Sequence, residues 1–376
     1  MIKKLLIPLA SLLILTNTPL KTSAEPKISA KSGIVIEAAT GTVLYSKNHN
    51  EVLPMASTTK IMTALVAVEL GDLNREMTVS EKAAAVEGSQ MGLLAEQKIS
   101  FRDLLYMMLL RSANDAAEVI AENLCGSIEK FVELMNEKAL ELGCTDTHFA
   151  NVHGLPHNDH YTTAADFAKI AAAAYANDTV REIVSTKTKK LDYFSLVLEN
   201  SNKLLTSYPY ATGMKTGFTK VAGRCLVSAA EKDGITLIAV TLNAPDDWND
   251  HEKMLDYGFS RVSRWEAVAA GAYSAEIPTL NGASKARLIN TQSIYGLAID
   301  GKALPAQLSE NLPKMMFAPL EAGKTGGYLH LTVNGKVFSS SPLAVAETVP
   351  EKYGEISFAE KFFNLFRKIF FFYLTG

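Results

Sequence analysis

Three short strings stand in a fixed order along this chain: Ser57-Thr58-Thr59-Lys60, then Ser112-Ala113-Asn114, then Lys215-Thr216-Gly217. Each alone is weak, because a serine three residues before a lysine arises by chance in most chains of this length. Their order and setting constrain the fold. The first two fall near the start of apolar helical runs and the third in a strand-like stretch. A fold that gathers them brings helix ends to a sheet. The residue types then describe one site: a serine nucleophile, a lysine proton acceptor, a polar shuttle and a cationic edge that holds a carboxylate.

The chemistry explains the residue types. A serine hydroxyl is a poor nucleophile without a base beside it. On a helix, residues three apart share a face, so Lys60 reaches the Ser57 hydroxyl. Lys60 must spend time neutral to accept a proton; cationic Lys215 and partial desolvation would depress its pKa. The helix N-terminus favours negative charge developing at Ser57. Ser112 is suited to passing a proton to a leaving amine, and Asn114 to hydrogen-bonding Lys60 and a substrate amide. Lys215 is the electrostatic clamp. Gly217 lets an extended ligand approach closely, as added strands do at a sheet edge. The amides of Ser57 and Phe218 would form an oxyanion hole. Taken singly, Ser57 with Lys60 reads as a helix cap and an exposed lysine, and Ser112-Ala113-Asn114 as capping alone; the ordered set points to a site.

Around the strings, Ile34-Val35-Ile36-Glu37-Ala38 and Val43-Leu44-Tyr45 flank Ala39-Thr40-Gly41-Thr42 and predict a hairpin. Helical patterning begins at Ser57 and ends at Gly71-Asp72. Residues 103–110, 115–124, 128–142 and 164–175 read as further helices. Residues 225–230 and 235–242 are strand-like, joined by Lys232-Asp233-Gly234, a hairpin signal. Strands at both ends of a helix-rich middle predict an α/β (α+β) domain, a mostly antiparallel sheet covered by helices. Tyr257-Gly258-Phe259 reads as its end. Short alternating runs then follow, with Asn334-Gly335 as a two-residue hairpin turn, and predict a small all-β domain.

The two chain ends read differently from the body. Met1-Ile2-Lys3-Lys4, the apolar residues 5–15 and Thr22-Ser23-Ala24 make a secretory signal peptide. Residues 356–374 place Phe358, Phe362, Leu365, Phe366 and Ile369 opposite Lys361, Arg367 and Lys368. That is a basic, phenylalanine-rich amphipathic helix suited to a membrane interface. The expected organisation is therefore a signal peptide over 1–24, a catalytic domain over 25–261, a β-rich domain over 262–352 and an anchor helix over 353–376.

Losing Lys3, Lys4 and Lys21 with the signal peptide leaves 34 basic residues against 40 acidic, a balance of −6. That mild acidity argues against a nucleic-acid partner. Cys125, Cys144 and Cys225 are odd in number and too few for a disulfide scaffold, so free, buried thiols are expected. His153, His157, Asp159 and His160 lie close together, but Gly154-Leu155-Pro156 breaks the spacing. They read as loop hydrogen bonding near the cleft, not as a metal site. No cofactor is expected.

These strings resemble a known family. Pro54-Met55-Ala56-Ser57-Thr58-Thr59-Lys60-Ile61-Met62-Thr63-Ala64, Ser112-Ala113-Asn114-Asp115-Ala116-Ala117, Asn151-Val152-His153-Gly154-Leu155 and Lys215-Thr216-Gly217-Phe218-Thr219 are similar to low-molecular-mass penicillin-binding proteins of the D-alanyl-D-alanine carboxypeptidase family. The resemblance implies a β-lactamase/transpeptidase-like fold and removal of the terminal D-alanine from peptidoglycan stem pentapeptides through an acyl-enzyme on Ser57. It also implies covalent inhibition by β-lactam antibiotics and attachment to the outer face of the cytoplasmic membrane. A DD-endopeptidase of the same fold and a catalytically inactive cell-wall scaffold are the alternatives. A class A β-lactamase needs a Glu-x-x-Leu-Asn loop, and neither Glu182 nor Glu199 begins one. Some family members bind the substrate carboxylate with an arginine, absent here from Pro245-Asp246-Asp247-Trp248-Asn249-Asp250-His251. That places the carboxylate on Lys215, Thr216 and Thr219.

Overall fold

The computed structural model describes residues 24–191, 196–352, 362–363 and 365–367. The expected signal peptide therefore lies outside the described residues except for residue 24, and the C-terminal helix is described only at those last five positions. The architecture is mixed α/β with antiparallel sheets. Two compact units divide it: one holds the residues up to 263 together with 299–302, the other 264–298 and those from 303 onward.

The first unit is built on a five-stranded sheet. Its strands are β1 (Ser32–Glu37), β2 (Val43–Lys47), β7 (Ala211–Thr219), β8 (Gly223–Lys232) and β9 (Ile235–Leu242), ordered β2-β1-β9-β8-β7. Between the two halves of the sheet lie two small antiparallel pairs: β3 (Glu76–Thr78) with β4 (Lys98–Ser100), and β5 (Thr188–Lys190) with β6 (Val197–Glu199). Every residue of β1 is buried, as a central strand covered on both faces requires. β7 is left at the edge.

The helices of this unit are α1 (Lys60–Leu70), α2 (Glu81–Ala84), α3 (Phe101–Arg111), α4 (Asn114–Cys125), α5 (Ile128–Glu141), α6 (Ala164–Ala176), α7 (Asp178–Ser185), α8 (Leu204–Ser207) and α9 (Asp247–Arg261). Side chains begin several of them as sequence rules require. Ser100, Ser127 and Thr163 accept the N–H of Asp103, Lys130 and Asp166, caps worth about 1 kcal/mol each. In α1 the eight residues from Lys60 to Ala67 are buried in succession, which marks a helix enclosed on all sides. Phe101, Phe131, Phe149 and Phe167 are fully buried in the same core, each contributing roughly 1.5–3 kcal/mol.

Tyr257-Gly258-Phe259, expected at the end of the domain, lies inside the last turns of α9, four residues before the main segment of the first unit closes at 263. A Cβ at Gly258 would stand 2.8 Å from Leu237 Cδ1 and 3.2 Å from Val35 Cγ1, so the glycine lets α9 settle onto the sheet. The thiols are free, but Cys125 is only half-buried, whereas Cys144 and Cys225 are buried.

The second unit contains a five-stranded antiparallel sheet, ordered Ser274–Ile277, Ala286–Asn290, Lys336–Val345, Thr325–Val333, Ala306–Asn311. Leu329, Leu331 and Val333 are buried while Tyr328, His330 and Thr332 face outward, the period-two pattern of a half-covered sheet. Asn334 and Gly335 both take positive φ, 51° and 77°, as a two-residue hairpin turn demands.

Candidate active site

Ser57 sits on a 3₁₀ turn, Ala56–Thr59, that leads into α1. The turn is held by its own hydroxyls: Thr58 Oγ1 donates to the Met55 carbonyl at 2.6 Å, and Thr59 Oγ1 to that of Ala56 at 2.8 Å. Ala56 takes φ 49°, an uncommon conformation for a residue with a Cβ. Gly154 supports it from the next loop, with φ 90°. A Cβ there would fall 1.9 Å from the Ala56 carbonyl oxygen, so only glycine lets the two backbones meet. His160 braces the turn as well. The Ala150 N–H donates to its Nδ1, which puts the ring proton on Nε2, 2.7 Å from Thr59 Oγ1.

Lys60 is fully buried one turn below. Its Nζ reaches Ser57 Oγ at 3.3 Å, Asn114 Oδ1 at 2.7 Å and the His153 carbonyl at 2.8 Å. Its pKa is held well below the ordinary lysine value, foremost by burial, then by the charge of Lys215; Asp115 opposes both. The sequence pattern anticipates both lowering causes, but the burial is complete where partial desolvation was expected.

Asn114 is the first residue of α4, and Ala113, at the cap position, makes no side-chain cap bond. The capping explanation of this string therefore fails. Asn114 is held instead by the loop 87–93. Its N–H donates to the Ser89 carbonyl at 2.7 Å and its Nδ2 to the Glu87 carbonyl at 2.6 Å. Asp115, 1% exposed, closes the same segment from the other side. Its carboxylate accepts the N–H of Met91, Gly92 and Leu93 and of its own neighbour Ala116. Ser112 ends α3 in the left-handed region, φ 65°, and is half-exposed. Among the described residues its hydroxyl makes no hydrogen bond to Lys60 or Ser57.

The third string lies on β7, the edge of the sheet. Gly217 faces the nucleophile turn: a Cβ there would stand 3.0 Å from the N atoms of both Ser57 and Thr58. Phe218 follows, 64% exposed, so the amides of residues 57 and 218 belong to neighbouring stretches of chain. Lys215 is 1% exposed and donates to the Thr216 carbonyl at 3.0 Å. Burial lowers its pKa to about 7. Thr216 lies half-buried on the same strand, opposite Leu226.

The histidines divide. His153 and His160 are buried and work through hydrogen bonds, while His157 and Asp159 are exposed. His153 contributes its carbonyl to Lys60 and its ring to Glu118, Nε2 to Oε1 at 3.5 Å. His251 is fully buried between Ser228 and Thr241, at 2.6 and 2.9 Å, and takes no place at the site. Sequence reasoning did not assign roles to Asp115, Gly154, the His153 carbonyl or the 87–93 segment. Asp115 and Gly154 stand inside the quoted strings, but the carbonyl contacts carry no residue-type signal.

The arrangement can activate a hydroxyl. A buried amine with a lowered pKa beside Ser57 can, in its neutral form, take the hydroxyl proton, a fixed amide orients that amine, and an open strand edge can receive an extended chain ending in a carboxylate.

Comparisons with known proteins agree in kind. The S11 peptidase family model, described as D-alanyl-D-alanine carboxypeptidase, matches residues 20–246. The D-alanyl-D-alanine carboxypeptidase DacF of Bacillus subtilis is 34% identical over 357 residues, 91% of either chain. DacC of Escherichia coli, of the same description, is 32% identical over 88% of this chain and 87% of its own. Among solved structures, penicillin binding protein 5 from Haemophilus influenzae superposes with a TM-score of 0.63 at 27% identity, covering 88% of this chain and 100% of that one. The Streptomyces K15 DD-transpeptidase does so with 0.60 at 34% identity, covering 63% and 100%.

Proposed function

The chain belongs to the D-alanyl-D-alanine carboxypeptidase family of serine peptidases, and from that premise we propose how its own residues divide the work on a peptidoglycan stem peptide. Ser57 Oγ attacks the carbonyl carbon of the penultimate D-alanine, and its proton passes to neutral Lys60 Nζ. The carbonyl electron pair moves onto oxygen, where the N–H groups of Ser57 and Phe218 receive it. Collapse breaks the C–N bond. The leaving D-alanine amine takes the proton back from Lys60 through the Ser112 hydroxyl, which the substrate itself brings into line. Water then attacks the ester, releasing the shortened peptide and restoring the Ser57 hydroxyl. Lys215, with Thr216, holds the terminal carboxylate, and Gly217 leaves room for the substrate strand. A β-lactam opens by the same attack and remains esterified to Ser57.

The observation that carries this reading is the buried Lys60 amine, shared between Ser57, Asn114 and the His153 carbonyl with its pKa lowered. Intact mass after incubation with penicillin tests it. Wild type gains the mass of the antibiotic and Ser57→Ala does not; an adduct on the variant overturns the assignment. Product analysis on a pentapeptide and on a cross-linked dimer then separates carboxypeptidase from endopeptidase.

The envelope setting extends the proposal. Residues 1–24 act as an export signal, residues 25–261 and 262–352 form the catalytic and β-rich domains, and residues 353–376 lie in the outer face of the cytoplasmic membrane. In support, Phe362 and Phe366 are exposed with ring centroids 6.1 Å apart. No helix among the described residues is long and apolar enough to cross a membrane, so attachment would rest on interfacial burial. Deleting residues 355–376 should abolish flotation with anionic vesicles while penicillin labelling persists. A truncated protein that still floats, or no longer labels, rules out a separable anchor.

A further inference from the structure

Asn114 and Glu118 lie four residues apart on α4, so they share one face of that helix. Both are buried there, Glu118 to 7% exposure. Asn114 meets Lys60 directly. Glu118 meets it through an intermediary: its Oε1 stands 3.5 Å from His153 Nε2, and the carbonyl of the same histidine accepts from Lys60 Nζ at 2.8 Å. The ring proton sits on the atom this contact needs. The Leu155 N–H donates to His153 Nδ1 at 3.2 Å, which leaves Nε2 to carry the proton towards Glu118. Burial, foremost, holds the pKa of the ring below its ordinary value, opposed by the bond to Glu118, so the neutral ring makes the bridge.

We propose that Glu118 is a positioning residue for the reaction: by its reach to the His153 ring it fixes the carbonyl that, with Asn114, turns the Lys60 lone pair onto Ser57. The inference rests on the proposed mechanism and deepens it. A neutral lysine amine has two N–H groups and one lone pair. Asn114 Oδ1 and the His153 carbonyl can only accept. With both in place they take the two N–H groups. The lone pair is left facing Ser57 Oγ, the one of the three partners that can give a proton. If the carbonyl drifts, an N–H can turn towards Ser57 instead, and the serine proton loses its acceptor.

Two devices hold that carbonyl. Asn151 Oδ1 accepts the N–H of His153 at 3.3 Å and that of Gly154 at 2.7 Å, which shapes the turn from within. The contact between His153 and Glu118 ties the turn to α4, the helix that also carries Asn114. Both acceptors of the Lys60 amine are then referred to one rigid element, and the helix sets their separation. What Glu118 supplies is an acceptor oxygen at the right distance, so its reach matters and its charge does not.

The test uses the full-length enzyme and two variants that separate reach from charge. Glu118→Gln keeps the reach and an acceptor oxygen but removes the charge. Glu118→Asp keeps the charge and withdraws the oxygen by one methylene. Intact mass follows the rate of penicillin labelling against antibiotic concentration, which separates the plateau acylation rate from the half-saturating concentration. Glu118→Gln should acylate within about twofold of wild type. Glu118→Asp should lose about fivefold to tenfold in plateau rate, the worth of one misdirected hydrogen bond, with the half-saturating concentration unchanged. Glu118→Asp acylating like wild type overturns the proposal. So does Glu118→Gln losing as much as Glu118→Asp, since charge would then be the working feature. A loss that appears in the half-saturating concentration overturns it too, because that marks a disturbed cleft and not a misaimed base. Each of these leaves the carboxypeptidase reading intact as long as wild type labels; wild type that never labels overturns both.

Discussion

Asn114 holds Lys60 in one orientation only. Its Oδ1 stands 2.7 Å from Lys60 Nζ while its Nδ2 donates to the Glu87 carbonyl at 2.6 Å, so turning the amide over breaks both bonds. Lys60, the proposed general base, is thus aimed through the loop that fixes Asn114.

Asp115→Asn should loosen that loop, because an amide cannot accept three neighbouring N–H groups without turning its own NH₂ against them. We expect a loss of about 1.5–3 kcal/mol in stability and slower acylation by penicillin. The pH profile separates aiming from simple unfolding. The Asp115 charge raises the Lys60 pKa, so removing it lets that pKa fall further. The acid limb of acylation should move to lower pH; a limb that stays in place shows that Asp115 does not act on the base.

Gly154→Ala should be among the most damaging single-methyl changes in the protein. The new Cβ meets the Ala56 carbonyl at 1.9 Å and the residue must hold φ 90°. Strain of this kind costs on the order of 1–3 kcal/mol before the clash is relieved. Relief moves Ala56 and with it Ser57. Denaturant unfolding and penicillin labelling should both fall; unchanged labelling disproves the coupling of this loop to the nucleophile.

Lys215→Met should stabilise the fold and remove activity. The unfolded lysine carries its proton below about 10.5, whereas the buried one resists it down to about 7. The cost of the charge therefore grows as pH falls from 10.5 towards 7 and is constant below. At neutral pH it is on the order of a few kcal/mol. Urea unfolding at pH 7 should show the gain. In the proposed mechanism, carboxylate recognition by Lys215 needs the charged form, so kcat/KM for peptide should decline as pH rises through about 7.

His160 and His251 should make the protein acid-sensitive. Burial holds both near a pKa of about 3, below the unfolded value of 6.5. Their contribution is complete above 6.5 and is lost as pH falls from 6.5 towards 3, at up to roughly 1.4 kcal/mol per pH unit each. Thermal unfolding between pH 7.5 and 5 measures it. His251→Gln should unfold more easily at pH 7.5 yet depend less on pH. An equally steep profile in that variant rules out His251 as a source.

Much of this was legible in the residues because side-chain spacing carried it. The three-residue step from Ser57 to Lys60 implied their contact, and the alternation of β-rich runs implied both sheets. The exact backbone around Ser57 was not legible. A serine–lysine step suits an α-helix and a 3₁₀ turn alike, and the left-handed Ala56 follows from Gly154, ninety-eight residues away in sequence. The extent of α9 was hidden for a different reason: Tyr257-Gly258-Phe259 reads locally as the close of the domain, and only the approach of Leu237 and Val35 gives Gly258 a packing role. Short α7 carries too few turns for its period to stand out.

The open side of β7 has a cost outside catalysis. A row of strand N–H and C=O groups that waits for one extended chain will accept any other, including the same strand of a second molecule. Most proteins blunt such a border with proline or a bulge, and neither stands between Lys215 and Thr219. Phe218 and Val221 even add exposed apolar surface beside it, with Lys220 as the nearby charge to oppose stacking. Colloidal behaviour and chemistry are therefore coupled in this molecule. An occupant of the proposed substrate edge would also keep concentrated protein from joining edge to edge.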